Sequence, residues 1–182
     1  VLLVPECGHA YGALRWDAAN VAGRELPFRV LHITELMAEE LRAGRLKLRK
    51  AADARPGAVT FHDPCQVVRR GGVIEAPREL LAALGVTLKE MWPTKATQWC
   101  CGGGGGVIMN RRADGLRRRM FRIKLEQIEH AGAPRVATSC SNCRQSFDDG
   151  GAHHHWEGRI ESLLEMVAAQ LDEPAARPAV TR

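Results

Sequence analysis

The chain has 182 residues, enough to bury one hydrophobic core, or one domain with part of another. Hydrophobic residues make up 45% and charged residues 26%, a globular balance that excludes disorder of the whole chain. The formal net charge is +5, and much of the excess lies in one basic stretch with Arg111, Arg112, Arg117, Arg118, Arg119, Arg122 and Lys124.

This basic stretch has two interpretations. It is either a solvated face of a helix, which needs no partner, or a surface that docks an acidic protein. Nucleic acid is not an expected partner, because no nucleic-acid-reading motif accompanies the charge. Direct membrane insertion is not expected either, since the apolar runs are far shorter than the roughly 20 residues that a spanning helix needs.

Predicted strands and helices alternate along the chain. Strands are predicted at 1–4, 58–61, 86–91 and 135–138, and helices at 33–41, 77–85, 109–130 and 160–171. The helix 109–130 is expected to be interrupted or recapped near Asp114-Gly115. Thr34 is the expected cap of the first helix, the stretch 43–56 is interpreted as a linker, and the tail after Asp172 is expected to fray. The alternation predicts an α/β fold with a largely parallel sheet, whose sites form at the carboxyl ends of the strands.

The six cysteines occur without a secretory signal, which indicates a cytoplasmic, reducing compartment and metal or redox chemistry. Five of them are spaced informatively: 34 residues separate Cys65 from Cys100-Cys101, and 38 more precede Cys140-x-x-Cys143. The Cys-x-x-Cys turn chelates both zinc and iron–sulfur centres. Five converging thiols exceed the four ligands of zinc and favour a cluster, although a zinc site built on Cys140, Cys143 and two others stays open.

A glycine run follows the adjacent cysteines. Without Cβ atoms, Gly102, Gly103 and Gly104 let the backbone approach an inorganic core and donate N–H groups to its sulfur, so they are candidate cofactor-binding residues. A phosphate-binding loop is not expected, because no Lys-Ser/Thr pair follows the run.

A weak internal repeat relates the two ends of the chain. Residues 1–7 align with 137–143 as strand, turn and cysteine, which puts Val4 in the place of Cys140. The predicted domains are 1–52, the C-terminal part of a first, degenerate repeat; 53–172, a complete cluster-binding repeat; and 173–182, a frayed tail. Chance similarity is the alternative. The apolar start without an initiator Met predicts a fragment of a longer protein.

The motifs Cys65, Cys100-Cys101-Gly102 and Cys140-x-x-Cys143 resemble the cysteine-rich CCG domain. That domain occurs in heterodisulfide reductase catalytic subunits, in glycolate and lactate oxidase iron–sulfur subunits and in the K subunit of the sulfite-reduction-associated complex. The resemblance covers 59–171, with 1–48 similar to the tail of a preceding degenerate copy. The turn at 62–65 and the stretch 139–147 look most like the heterodisulfide reductase D and K-subunit branch.

The resemblance implies that the five cysteines hold a noncubane [4Fe-4S] cluster. There, a disulfide or trisulfide of a protein or coenzyme would be reduced or oxidised within a larger electron-transfer complex. Expected partners are other redox subunits, of ferredoxin type or in the membrane, and any membrane association would come through them. The alternatives are an iron–sulfur relay of a flavin hydroxy-acid dehydrogenase and a zinc-stabilised binding module.

Three further residues lie beside these motifs. Cys7 is a leftover of the first repeat, a sixth ligand or part of a substrate cavity. His9 is a candidate proton donor to a leaving thiolate, because imidazole titrates near neutrality, and otherwise an ordinary turn histidine. Cys7 and His9 are therefore the candidate catalytic residues. His62 is expected to hydrogen-bond its own turn rather than to bind iron.

Overall fold

The computed structural model describes residues 1–49 and 57–172. The predicted boundary between 52 and 53, part of the predicted linker and the predicted tail lie outside these residues. The strands are β1 (Leu2–Leu3), β2 (Arg29–Val30), β3 (Ala58–His62), β4 (Thr87–Leu88), β5 (Arg135–Thr138) and β6 (Ile160–Ser162). The α-helices are α1 (Gly8–Gly12), α2 (Ala18–Ala22), α3 (Ile33–Arg42), α4 (Glu75–Ala83), α5 (Asp114–Ala131), α6 (Ser141–His153) and α7 (Leu163–Ala168).

The described strands form two parallel sheets. The larger has the order β4-β3-β5-β6, and the smaller pairs β1 with β2. In the centre of the larger sheet, Phe61 pairs with Ala137 and His62 with Thr138, so β3 and β5 end at the same edge. The predicted α/β fold with a parallel sheet is confirmed.

Helices cover both faces of the larger sheet, because successive side chains of a strand point to opposite faces. Ala137 belongs to a core cluster with Phe61 and Leu80, on the side of α4 and α7. Its neighbour Val136 belongs to a second cluster with Phe121 and Phe147, on the side of α5 and α6. Each large apolar side chain buried in this way stabilises the fold by about 1.5–3 kcal/mol.

Several predicted boundaries differ from the structure. The predicted helix 160–171 begins as an edge strand, because β6 pairs with β5, and α7 starts only after Ser162, whose hydroxyl accepts a hydrogen bond from the Glu165 amide. The cap of α3 is His32 rather than Thr34, since the His32 ring accepts from the Thr34 amide. The helix predicted from 109 begins at Asp114, after 3-10 turns. Of the strand predicted at 86–91, only Thr87–Leu88 pairs.

The helices α1 and α6 were not predicted. Each begins directly after a cysteine, Cys7 and Cys140 respectively, and neither has a continuous apolar stripe in its sequence. Within the described part of the chain, no helix is long and apolar enough to cross a membrane.

Candidate metal centre

The cysteines lie where strands end. Cys7 follows β1 and is the residue before α1, while Cys140 follows β5 and is the residue before α6. Cys65 follows β3 and precedes a π-helical turn at Gln66–Arg70. Because the carboxyl ends of β3 and β5 share one edge of the sheet, Cys65 and Cys140 are brought close together.

The turn that carries Cys65 is fixed by a buried ion pair. Asp63, 1% exposed, accepts two hydrogen bonds from the Arg78 guanidinium, each 2.9 Å long. The same carboxylate accepts the backbone N–H of Lys95 at 2.8 Å. Charged, bidentate pairs of this kind are among the strong hydrogen bonds in proteins. The pair therefore ties the end of β3 to α4 and to the segment that leads to Cys100.

The sulfur atoms form one continuous chain. Sγ of Cys101 lies 3.3 Å from Sγ of Cys143, which joins the adjacent cysteines to the Cys-x-x-Cys turn. The remaining cysteines lie close enough to shift the pKa values of their neighbours, in the order Cys65, Cys100, Cys101, Cys143, Cys140, Cys7. The structure thus brings the five predicted ligands together and adds Cys7 to them.

Among the six cysteines, two have a lowered pKa and favour the thiolate form. Hydrogen bonds from Cys101 and Cys65, with the Gly102 N–H at 3.3 Å, lower the pKa of Cys100 to about 2. Cys140 has its pKa strongly lowered in the same way, by Cys143 and Cys7 together with the Gly8 N–H at 3.3 Å. In the four donor cysteines the pKa is raised, chiefly because each thiol donates to a neighbouring sulfur. Cys7 thus lowers the pKa of Cys140 in the same way that Cys65 lowers the pKa of Cys100.

The glycine run packs against α6. Gly103 O accepts the side-chain amide of Asn142 at 2.9 Å, and Ser146 Oγ donates to Cys101 O at 2.6 Å. A Cβ on Gly103 would lie 3.0 Å from both side chains, so only glycine fits without displacement. Gly102 donates its N–H to a cysteine sulfur. Binding of a cofactor by Gly102, Gly103 and Gly104 stays a prediction.

A small cavity opens beside the sulfurs, lined by Cys65, Cys101, Cys140 and Cys143, with His9 and Gly104. Nε2 of His9 accepts the N–H of Gly105 at 2.8 Å, and Nδ1 lies 4.0 Å from Sγ of Cys7. His9 is therefore held at the wall of the cavity, between the glycine run and Cys7. Its role as a proton donor stays a prediction.

His62 does not hydrogen-bond its own turn, contrary to expectation. The ring is 1% exposed, and neither nitrogen has a hydrogen-bond partner among the described residues. One ring nitrogen and the sulfurs of Cys101 and Cys143 lie within 4.8 Å of one another. Burial lowers the pKa of His62 to about 3, so the imidazole is neutral. Six sulfurs beside an unsatisfied buried imidazole fit a sulfur-rich inorganic group, to which the ring N–H would donate.

Lys124 is a residue that the sequence reasoning placed on a solvated face and that the structure buries completely. Burial lowers its pKa to about 8, while attraction to Cys101, Cys100 and Cys143 opposes that shift. A signal was present in the sequence: Lys124 falls at helical spacing between Phe121 and Ile128, on the apolar stripe of α5. Arg117 is also buried, but it pairs with Asp149 at 2.7 Å.

The two ends of the chain have the same local architecture, with a register that differs from the predicted one. Leu3 pairs with Val30 in one sheet, and Val136 pairs with Ile160 in the other. Cys7 lies four residues after Leu3, and Cys140 lies four residues after Val136. Cys7 therefore corresponds to Cys140, not to Cys143, and the alignment drawn from sequence is shifted by three residues.

Comparison with known proteins agrees with this geometry. Residues 59–148 match the model of the cysteine-rich domain named CCG. This segment belongs to the CCG family. The CCG domain contains Cys65, Cys100, Cys101, Cys140 and Cys143, whereas Cys7 precedes it.

The chain is 32% identical to the D subunit of the dihydromethanophenazine:CoB–CoM heterodisulfide reductase of Methanosarcina barkeri, over 91% of this chain and 39% of that protein. It is 31% identical to a probable membrane-anchored ferredoxin of Chromohalobacter salexigens, over 94% of this chain and 25% of that protein. It is 29% identical to the EtfAB:quinone oxidoreductase of Syntrophomonas wolfei, over 81% of this chain and 21% of that protein. The predicted likeness to heterodisulfide reductase D is confirmed, and the chain spans well under half the length of these relatives.

Proposed function

We propose that this chain is part of an iron–sulfur oxidoreductase subunit that reduces or oxidises a disulfide or trisulfide. The observation that carries the proposal is the gathering of the cysteines at the carboxyl edge of the sheet, where four of them line one cavity. Relatives named as a heterodisulfide reductase subunit and as a probable iron–sulfur-binding oxidoreductase support it.

The five cysteines of the CCG domain would hold a noncubane [4Fe-4S] cluster, which when bound supplies single electrons and iron atoms that accept sulfur. Hydrogen bonds from neighbouring thiols and from the backbone N–H groups of Gly102 and Gly8 lower the pKa of Cys100 and of Cys140 and so favour their thiolate forms. Asp63 and Arg78 hold the turn that presents Cys65. These residues would position the ligands before any substrate binds.

The residues of the N-terminal segment would form the substrate side of the cavity. Reduction of a disulfide breaks its S–S bond, takes up two electrons and two protons, and yields two thiols. A partner redox subunit supplies the electrons. His9 would donate one proton to the leaving thiolate, and solvent would supply the other. Cys7 lies next to His9, which lines the cavity that the substrate sulfur would enter. The segment 1–52 acts in this proposal as the end of a first, degenerate repeat.

The redox partner would dock on the exposed basic surface beside the glycine run. Arg111, Arg112 and Arg119 are exposed there, and Met109 is 84% exposed. This combination of positive charge and apolar area fits an acidic protein surface. Replacing Arg111 and Arg112 by Glu should slow electron delivery by the partner at low salt, without changing the iron content.

The test is metal and sulfide analysis with electron paramagnetic resonance on the anaerobically purified protein. The parent should contain iron and acid-labile sulfide and give a signal on redox treatment. Cys101→Ser should lose or alter this signal, whereas Gln145→Ala, an exposed change on α6, should leave it intact. A colourless parent with one zinc and no sulfide would sink the proposal in favour of a zinc-stabilised module. Turnover of a hydroxy acid but not of a coenzyme disulfide would favour the relay function instead.

A further inference from the structure

The basic stretch contains two buried charges, Arg117 and Lys124, and of the two only Lys124 is not in an ion pair with a described residue. Lys124 lies on α5 with 0% of its surface exposed, in line with Phe121 and Ile128 of the core. The long side chain of a lysine usually extends along a protein surface so that its ammonium group reaches water. Here the ammonium group itself is buried. Packing of the aliphatic part alone does not account for this position.

The ammonium group has only neutral hydrogen-bond partners. Nζ donates to Oε1 of Gln127 at 2.7 Å and lies 3.9 Å from Sδ of Met91. No carboxylate of a described residue lies within salt-bridge distance of Lys124. Arg117, which is also buried, pairs with Asp149, and Arg78, which is partly buried, pairs with Asp63. Buried charges in proteins are as a rule paired, so Lys124 lacks a counter-charge of the usual kind.

The groups that attract Lys124 are the cysteines. The stabilising interactions come first from Cys101, then from Cys100 and Cys143, and last from Asp63, which is already paired with Arg78. Met91, whose Sδ lies 3.9 Å from the ammonium group, packs in the same buried cluster as Cys101 and Cys143, so the charge of Lys124 lies beside the cysteine cluster. The groups that attract Lys124 are therefore cysteine sulfurs, which are thiolates when they bind a metal, rather than a carboxylate.

We propose that Lys124 is a positioning residue that supplies the fixed positive charge of the cysteine centre and raises its reduction potential. The inference rests on the proposed function, since it requires a redox centre bound by these sulfurs. Adding an electron to such a centre adds negative charge, and a buried cation nearby stabilises the reduced form more than the oxidised one. The low dielectric of the site makes this effect larger than that of a charge at the surface.

Three variants separate charge from shape. Lys124→Met removes the charge and keeps a chain of similar length. Gln127→Glu leaves Lys124 in place and gives its ammonium group a carboxylate, so that the charge is neutralised without loss of the amine. Lys124→Arg keeps the charge. Arg122→Met is the matched control, because it removes a positive charge from the exposed face of the same helix, outside the proposed docking surface.

The experiment is a redox titration followed by electron paramagnetic resonance, with iron analysis, on the whole anaerobically purified protein that carries this chain. Lys124→Met and Gln127→Glu should each lower the ratio of reduced to oxidised centre at fixed ambient potential by about tenfold or more, which corresponds to about 59 mV for a one-electron couple. Lys124→Arg and Arg122→Met should stay within about twofold of the parent.

Two results would overturn the inference. One is a parent-like potential in both Lys124→Met and Gln127→Glu; the other is a shift in Lys124→Arg as large as that in Lys124→Met, which would assign the effect to shape. If Lys124→Met does not retain iron, Gln127→Glu decides the question alone. A parent without iron and sulfide contradicts the proposed function, whereas a loaded parent with unshifted variants contradicts only the role of Lys124.

Discussion

The ion pair between Asp63 and Arg78 makes a quantitative prediction for Asp63→Asn. The Asp63 carboxylate accepts a hydrogen bond from each terminal nitrogen of Arg78, at 2.9 Å, and one from the Lys95 N–H at 2.8 Å. Asparagine has the same shape but no charge, and its amide group would turn a donor towards a guanidinium that only donates. Arg78 keeps a second partner in Glu90 at 2.7 Å, so its charge is not left wholly unpaired.

The expected cost of Asp63→Asn is about 3 kcal/mol. Removing one partner of a buried ion pair costs about 3–5 kcal/mol, and the remaining contact with Glu90 favours the lower end of this range. For a chain of this size, about 3 kcal/mol corresponds to a decrease in Tm of about 10 °C. Because the turn that carries Cys65 loosens, iron retention should fall as well.

Thermal unfolding of the metal-free protein and iron analysis of the loaded protein measure the two effects. Glu40→Ala is the control: Glu40 pairs with Arg45 at 2.6 Å, but the arginine side chain is 66% exposed and the pair is screened by solvent. No measurable change in Tm is expected there. If Asp63→Asn lowers Tm no more than Glu40→Ala does, the buried pair does not stabilise the turn and the reasoning is refuted.

Three further changes give outcomes of different kinds. His62→Phe should remove part of the acid sensitivity of the metal-free protein. The pKa of His62 in the folded protein is about 3, below the usual 6.5, so unfolding takes up a proton and the stability decreases as the pH is lowered from 6.5 to 3. If the urea midpoint of both proteins depends on pH in the same way across this window, the assignment is contradicted. Gly103→Ala should destabilise the protein by about 1–3 kcal/mol in urea unfolding, because its Cβ would lie 3.0 Å from Asn142 and Ser146. The control is Gly115→Ala, whose Cβ would have no atom nearer than 4.0 Å and which should be neutral or stabilising. Equal effects of the two substitutions would refute the packing argument. Cys7→Ser should keep most of the iron and lose turnover of a disulfide substrate, and a loss of iron as complete as in Cys65→Ser would make Cys7 a ligand instead.

The sequence alone determined the features that depend on neighbours along the chain. Short apolar runs between helical patterns indicated the parallel strands, and the core strands at 58–62 and 135–138 agree with that prediction. The spacing of the five cysteines and the adjacent glycines was sufficient to predict a metal centre at the carboxyl edge of the sheet. Local chemistry carries this information, because a Cys-x-x-Cys turn and a cysteine at a strand end have the same meaning in any fold of this class.

Only the tertiary structure decided which further groups face that centre. Cys7 joins Cys140 because β1 and α1 reproduce the arrangement of β5 and α6, a correspondence that strand pairing reveals and a short alignment misplaced by three residues. His62 loses its hydrogen-bond partners, and Lys124 its solvent, because the sheet and α5 close over them from different parts of the chain. Burial depends on packing among segments that are distant in the sequence. The sequence therefore predicts a surface charge at Lys124, whereas the packing of α5 buries it.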